Sequence, residues 1–266
     1  MSAIGIFDSG MGGLTVMRAL MGRLPHESFL YLGDTARLPY GTKSGETVTR
    51  YAVQATAALM KRDVKLLVVA CNTASAVALP ALEAALAPVP VIGVIEPGAE
   101  AALAAAPEGP IAIIATESTI RGGAYRRAIR ARARDVPVAQ QACPLFVPLA
   151  EEGIVTGEIA EAVARRYLQP LMASLPRPKC LVLGCTHFPV LKDTIAAIAG
   201  TDVTLVDSAE TTARVVEARL RELPPATAPS RGFLVTDAPD RFARVGEIFL
   251  GQPIDPGLVE LVDIQG

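Results

Sequence analysis

The chain has 266 residues, enough for one large domain or two of ordinary size with a real core. Hydrophobic residues make up 51% and charged residues 20%, a balance that excludes extensive disorder. The formal net charge is -2 with Lys and Arg scattered, which argues against a nucleic-acid surface built on phosphate contacts.

The chain begins MSAIGIFDSG, without the basic head and long apolar segment of a signal peptide. An alternation of short β-branched strands and helical segments follows. AIGIF (3–7), FLYLG (29–33), LLVVA (66–70), VIGVI (91–95), IAIIA (111–115), CLVLG (180–184), VTLV (203–206) and FLVT (233–236) read as strands. Between them lie Ala- and Leu-rich stretches of helical period. In 46–62, Val48, Tyr51, Ala52, Ala55 and Leu59 fall on one face. The basic run RGGAYRRAIRARAR (121–134) reads as a solvated helix face. The most apolar region, AVALPALEAALAPVPVIGVIEPG, is broken by Pro80, Glu83, Pro88 and Pro90. It therefore lacks the ~20 clean residues of a membrane helix. A cytoplasmic chain keeps its thiols reduced, so Cys71, Cys143, Cys180 and Cys185 read as core residues, ligands or reactive groups, not as a disulfide frame.

Continuous apolar strands alternating with helices predict an α/β fold of mostly parallel sheets flanked by helices. Ligands of such sheets bind at the carboxyl ends of the strands. Five strand ends carry polar or reactive residues: Asp8-Ser9-Gly10, Asp34-Thr35, Cys71-Asn72-Thr73, Thr116 with Thr119, and Cys185-Thr186-His187. A packed core requires none of these. The stretch from Asp8 to Cys71 is similar in length to that from Thr116 to Cys185. Tyr40 follows Asp8 at nearly the interval at which Glu151 follows Thr116. We therefore expect two pseudo-symmetric α/β domains, residues 1–97 with 208–266 and residues 98–207, each offering one cysteine to a shared interdomain cleft.

DSGMGG (8–13) fits neither GxxxxGK[ST] nor GxGxxG, since Thr15 stands where the latter needs Gly or Ala. It reads as a tight strand-to-helix turn whose N–H groups can hold an anion. Cys180, Cys185 and His187 lack the second cluster a structural zinc usually has, so no metal is expected. Cys143 and Cys180 read as buried small hydrophobes. Cys71 and Cys185 differ: each ends an apolar strand and precedes a helical segment, where a helix dipole favours the thiolate. Redox chemistry would favour a CxxC pair, which is absent. The alternative is proton transfer. One thiolate takes a proton from a carbon, the opposite thiol returns one to the other face, and the stereocentre inverts. No lysine stands in a Schiff-base context, so no cofactor is expected and preorganised donors must tolerate the carbanion.

Taken together, IGIFDSGMGGLTV, YLGDTARLPYG, ACNTAS, CPLFVPLAEEG, LGCTHFP and VDSAETTA resemble the cofactor-independent glutamate racemases of the aspartate/glutamate racemase superfamily along nearly the whole chain. The resemblance implies interconversion of L- and D-glutamate for peptidoglycan, in a likeness of two α/β domains around a cleft, as a homodimer. It implies Cys71 and Cys185 as acid/base thiols, with Asp8 assisting Cys71 and His187 assisting Cys185. Ser9, Pro39, Tyr40, Gly41, Asn72, Thr73, Thr116, Thr119 and Thr186 would hold the substrate, with Asp34 and Glu151 as auxiliaries. Aspartate racemases resemble CNTAH and GCTE at the cysteine motifs. Ser75 and His187 stand here instead and favour glutamate, leaving an aspartate racemase or another superfamily member as the alternative.

Overall fold

The computed structural model describes residues 2–264, apart from 222 and 224–227. Among the described residues, ten strands form two fully parallel sheets: β1 (Ala3–Asp8), β2 (Phe29–Gly33), β3 (Val64–Val69), β4 (Val91–Gly93), β5 (Ile111–Ala115), β6 (Val138–Ala142), β7 (Cys180–Gly184), β8 (Thr204–Asp207), β9 (Arg231–Val235) and β10 (Val259–Leu261). The first sheet has the order β10-β9-β2-β1-β3-β4 and the second the order β6-β5-β7-β8. The second thus repeats the inner order β2-β1-β3-β4, with β5 in the place of β1 and β7 in the place of β3. The fold is α/β, two parallel sheets with flanking helices.

The strands form where β-branched residues can be covered on both faces. Ile4, Ile6, Leu66 and Val68 of the first sheet and Leu181 and Leu183 of the second are all fully buried in one continuous apolar cluster. Each such side chain contributes about 1.5–3 kcal/mol on leaving water. The helix Gly45–Met60 buries Val48, Ala52, Ala55 and Leu59, while Ser44 accepts the Thr47 N–H at its start. Tyr51 stays half-buried under the Arg37 guanidinium, 4.2 Å from the ring centroid.

Two strands carry no apolar run. β6 reads VAQQA and β10 reads VEL, and both lie at sheet edges. The expected VIGVI strand stops at Gly93, and Val94 begins the helix Ile95–Ala105. That helix runs across the expected domain limit at residue 97 and packs against β7 and β8. The basic run forms the helix Ala124–Arg132, with Arg127 and Arg130 exposed and Arg132 paired with Glu96 and Glu100. No helix among the described residues is long and apolar enough to cross a membrane.

Candidate active site

Cys71 follows β3 after one residue, Ala70, and caps the helix Asn72–Val77, its Sγ accepting the Ala74 N–H at 3.4 Å. Its own S–H donates to Ser9 Oγ, also at 3.4 Å. Cys185 follows β7, the counterpart of β3, so equivalent strands deliver the two sulfurs. The segments that follow are not equivalent. A turn at Cys185–His187 and a 3-10 turn at Phe188–Leu191 precede the helix Lys192–Ala199. The helix-dipole argument therefore does not reach Cys185. At Cys71 the dipole is outweighed. Burial, then the charge of Asp8, pushes the Cys71 thiol up to about 12, against its hydrogen bonds with Ser9 and Ala74.

Asp8 ends β1 and is fully buried. The DSGMGG loop does hold an anion with its backbone, but the anion is its own. Gly10 N–H donates to Asp8 Oδ2 at 3.0 Å, and the Ser9 and Gly13 N–H groups add to the field that favours the carboxylate. Burial still raises the Asp8 carboxyl. The positive charge of His187 and those three N–H groups only partly offset it. Oδ1 has no partner.

His187 is buried between a sulfur and a carboxylate. Its Nδ1 lies 3.9 Å from Cys185 Sγ and its Nε2 lies 3.2 Å from Glu151 Oε1. Phe249 meets the ring edge-on at 4.9 Å between centroids. Burial works against the imidazolium, but Cys185, Glu151 and the Asp8 charge lift the ring to about 10. Glu151 is held in turn by Arg241, whose Nη2 donates to Oε2 at 2.8 Å. Burial works to raise the Glu151 carboxyl, but His187 and Arg241 bring it down to about 2. Gly12 lies flat against the imidazole. A Cβ there would overlap the His187 ring and come 2.6 Å from Thr186 Oγ1.

Both thiols open into one cavity of about 160 Å³. His187, Ser9, Pro39, Tyr40, Gly41, Asn72, Thr73, Thr116 and Thr186 line it with them. Thr119 stands one layer back. Its hydroxyl closes a triangle with Thr73 (3.2 Å) and Thr116 (3.1 Å), which are themselves 3.0 Å apart. Three hydroxyls with rotatable protons can turn donors toward an anion. Asn72 Oδ1 is buried without a partner. Besides Thr119, three expected residues are not in the cavity wall: Asp8 lies beneath the loop, Glu151 behind His187, and Asp34 behind Tyr40. Asp34 Oδ2 accepts from the Tyr40 hydroxyl and from Arg37 Nε at 2.7 Å, and Oδ1 accepts from Thr236 at 3.0 Å. Such a filled carboxylate holds Tyr40 in place and has no free edge for proton transfer.

The wall also contains Pro144, Val147 and Pro148, which belong to the CPLFVPLAEEG stretch without having been singled out, and Thr42 and Glu117, which no sequence signal marked. Arg241 lies in the helix Pro239–Leu250, far from any cysteine motif. Cys143 and Cys180 are fully buried, the latter within β7. No group of three or more His, Cys, Asp or Glu among the described residues could hold a metal ion.

The family model for Asp/Glu/hydantoin racemase matches residues 15–216. A glutamate racemase from Geobacter metallireducens is 53% identical over 94% of this chain and 93% of its own length. One from Syntrophus aciditrophicus is 48% identical over 96% and 94%. The crystal structure of the Francisella tularensis glutamate racemase in complex with D-glutamate superposes with a TM-score of 0.91 at 38% identity, covering 99% of this chain and 98% of that one. A cavity flanked by thiols from equivalent strands thus accompanies full-length similarity, and the chain belongs to the Asp/Glu/hydantoin racemase family, in its glutamate racemase group.

Proposed function

We propose that this chain interconverts L- and D-glutamate by two-base proton transfer between Cys71 and Cys185, in the cytoplasm, supplying D-glutamate for peptidoglycan. The observation that carries the reading is that β3 and β7, equivalent strands of two similarly ordered sheets, are each followed within two residues by a thiol facing one cavity. The relatives' printed activity supports glutamate as the substrate.

In one direction a thiolate takes the α-hydrogen as a proton, forming S–H and leaving the electron pair at Cα. The opposite S–H then gives its proton to the other face. The two sulfurs end with exchanged protonation, ready for the reverse reaction. General acid–base steps of this kind contribute about 10²–10⁴-fold each. They require reacting atoms held about 3–3.5 Å apart.

The two sides prepare their sulfur differently. Burial beside Asp8 keeps Cys71 protonated at rest, the state of a proton donor. His187 Nδ1 lies within reach of Cys185 Sγ to accept or return its proton, with Glu151 holding the ring. The hydroxyls of Thr73, Thr116 and Thr186 and the Asn72 amide are suited to the substrate's carboxylates and ammonium.

The test is purified protein with L-glutamate, and separately L-aspartate, in D2O, followed by proton NMR at Cα. Loss of the glutamate Cα signal with formation of the D-enantiomer is expected. Exchange with aspartate alone would redirect the substrate assignment, and exchange with neither would overturn the reading.

A further inference from the structure

Tyr125 belongs to neither cysteine motif and does not line the cavity, yet it touches what surrounds both thiols. It sits in the first turn of the helix Ala124–Arg132, on the buried side of the basic run, and is 1% exposed. Its ring lies between two glycines. A Cβ on Gly98 would come 3.0 Å from one ring edge, and a Cβ on Gly184 would come 3.0 Å from the other. Gly184 is the residue before Cys185. Two bare backbones therefore leave a slot of ring width. At its far end the Tyr125 hydroxyl accepts from Asn72 Nδ2 at 2.8 Å, and Asn72 follows Cys71.

Asn72 is 3% exposed, and its amide has two unlike ends. The nitrogen is committed to Tyr125, while Oδ1 is buried without a partner in a residue of the cavity wall. A buried acceptor left unpaired is costly and is tolerated where a ligand completes it. An amide free to turn over would present N–H groups there instead and repel a cation. We propose that Tyr125 is a positioning residue that fixes the Asn72 side chain with its oxygen toward the cavity, making that wall an acceptor for the α-ammonium of the substrate. The inference rests on the amino-acid racemase reading and adds to it a residue that selects for a protonated amine.

The test is Tyr125→Phe, which keeps the ring between its glycines and removes only the hydroxyl. Losing a net neutral hydrogen bond that orients a ligand acceptor corresponds to about a threefold to tenfold weakening. KM for both enantiomers of glutamate should rise by that factor, with kcat changed much less. Inhibition by glutarate, which has both carboxylates and no ammonium, should be unchanged. In an Asn72→Ala background the added Tyr125→Phe change should have no further effect on KM. An unchanged KM, an equal weakening of glutarate, or a full additional loss in the Asn72→Ala background would each overturn the proposal. If wild-type protein fails to exchange the α-hydrogen of glutamate, the racemase reading fails by itself. The bond is then read directly from the Asn72 side-chain amide signals in 15N NMR, identified by their disappearance in Asn72→Ala. Signals that do not move in Tyr125→Phe would sink the clamp whatever the substrate.

Discussion

His187 Nε2 lies 3.2 Å from Glu151 Oε1, and the same carboxylate takes Arg241 on its other oxygen, so the imidazole beside Cys185 is tethered to the helix Pro239–Leu250. Glu151→Gln keeps the shape and removes the charge. The pH at which His187 gives up its proton should fall from about 10 toward the ordinary imidazole range. A charge-assisted hydrogen bond of this kind corresponds to about a tenfold to hundredfold change. Racemisation at neutral pH should drop by that factor, with a shifted pH profile. An unshifted profile would detach Glu151 from the ring.

The same pair makes the fold sensitive to acid. Glu151 is held near 2 in the folded chain, below its unfolded value. Its contribution to stability is therefore present above about pH 4.3 and is lost as the pH falls toward 2. His187 contributes with the opposite sign of slope: its share is present below about pH 6.5 and is lost as the pH rises through about 10. Thermal melts between pH 5 and pH 3 should show a steeper fall in Tm for wild type than for Glu151→Gln. Parallel curves would show that the ion pair adds nothing to the acid limb.

Cys71→Ala and Cys185→Ala should each abolish racemisation, at least by the 10²–10⁴-fold range of a lost acid–base group. Both thiols are small and border a cavity, so circular dichroism should be unchanged. Asp8→Asn should slow deprotonation of one enantiomer more than the other, because its charge acts on the Cys71 side. Full activity in either alanine variant, followed by polarimetry, would end the two-thiol scheme.

Cys71 is pushed up to about 12, against about 8.5 for a free thiol. In Cys185→Ala, alkylation of Cys71 by iodoacetamide, read by peptide mass spectrometry, should keep rising about tenfold per pH unit past pH 9. A plateau near pH 8.5 would mean that burial and Asp8 do not dominate.

Much of this was legible from residue order because the central strands are buried on both faces and so must be apolar throughout. LLVVA and CLVLG announce themselves for that reason, and the thiols at their ends stand out against them. β6 and β10 stayed hidden because edge strands can satisfy their backbone with polar side chains such as Gln140, Gln141 and Glu260. Tyr125 and Arg241 stayed hidden for another reason. Each reaches its partner across elements distant in sequence, and neither periodicity nor motif spacing encodes which side chains meet there.

Gly12 stands where the loop passes over the imidazole, and its lack of a Cβ is what allows that approach. Gly12→Ala should displace His187 or the loop and cost about 1–3 kcal/mol by overpacking. Activity should fall with the ring's displacement even where the protein remains folded. A variant of wild-type stability and activity would show that the contact relaxes freely.

Asp34 supports Tyr40 and takes no part in the proton transfer. Its carboxylate is fully buried and filled by Tyr40, Arg37 and Thr236, so it has no edge to offer a substrate. Asp34→Asn leaves the Arg37 guanidinium beside a neutral amide, and breaking one partner of a buried pair costs about 3–5 kcal/mol. Arg37 is partly exposed and also bonds Gln54, so the lower end of that range is expected. Tm should fall clearly, while kcat at a temperature where the variant is folded should stay within a fewfold of wild type. KM should rise as Tyr40 loosens against the cavity. A large loss of kcat at wild-type Tm would instead make Asp34 a participant in proton transfer.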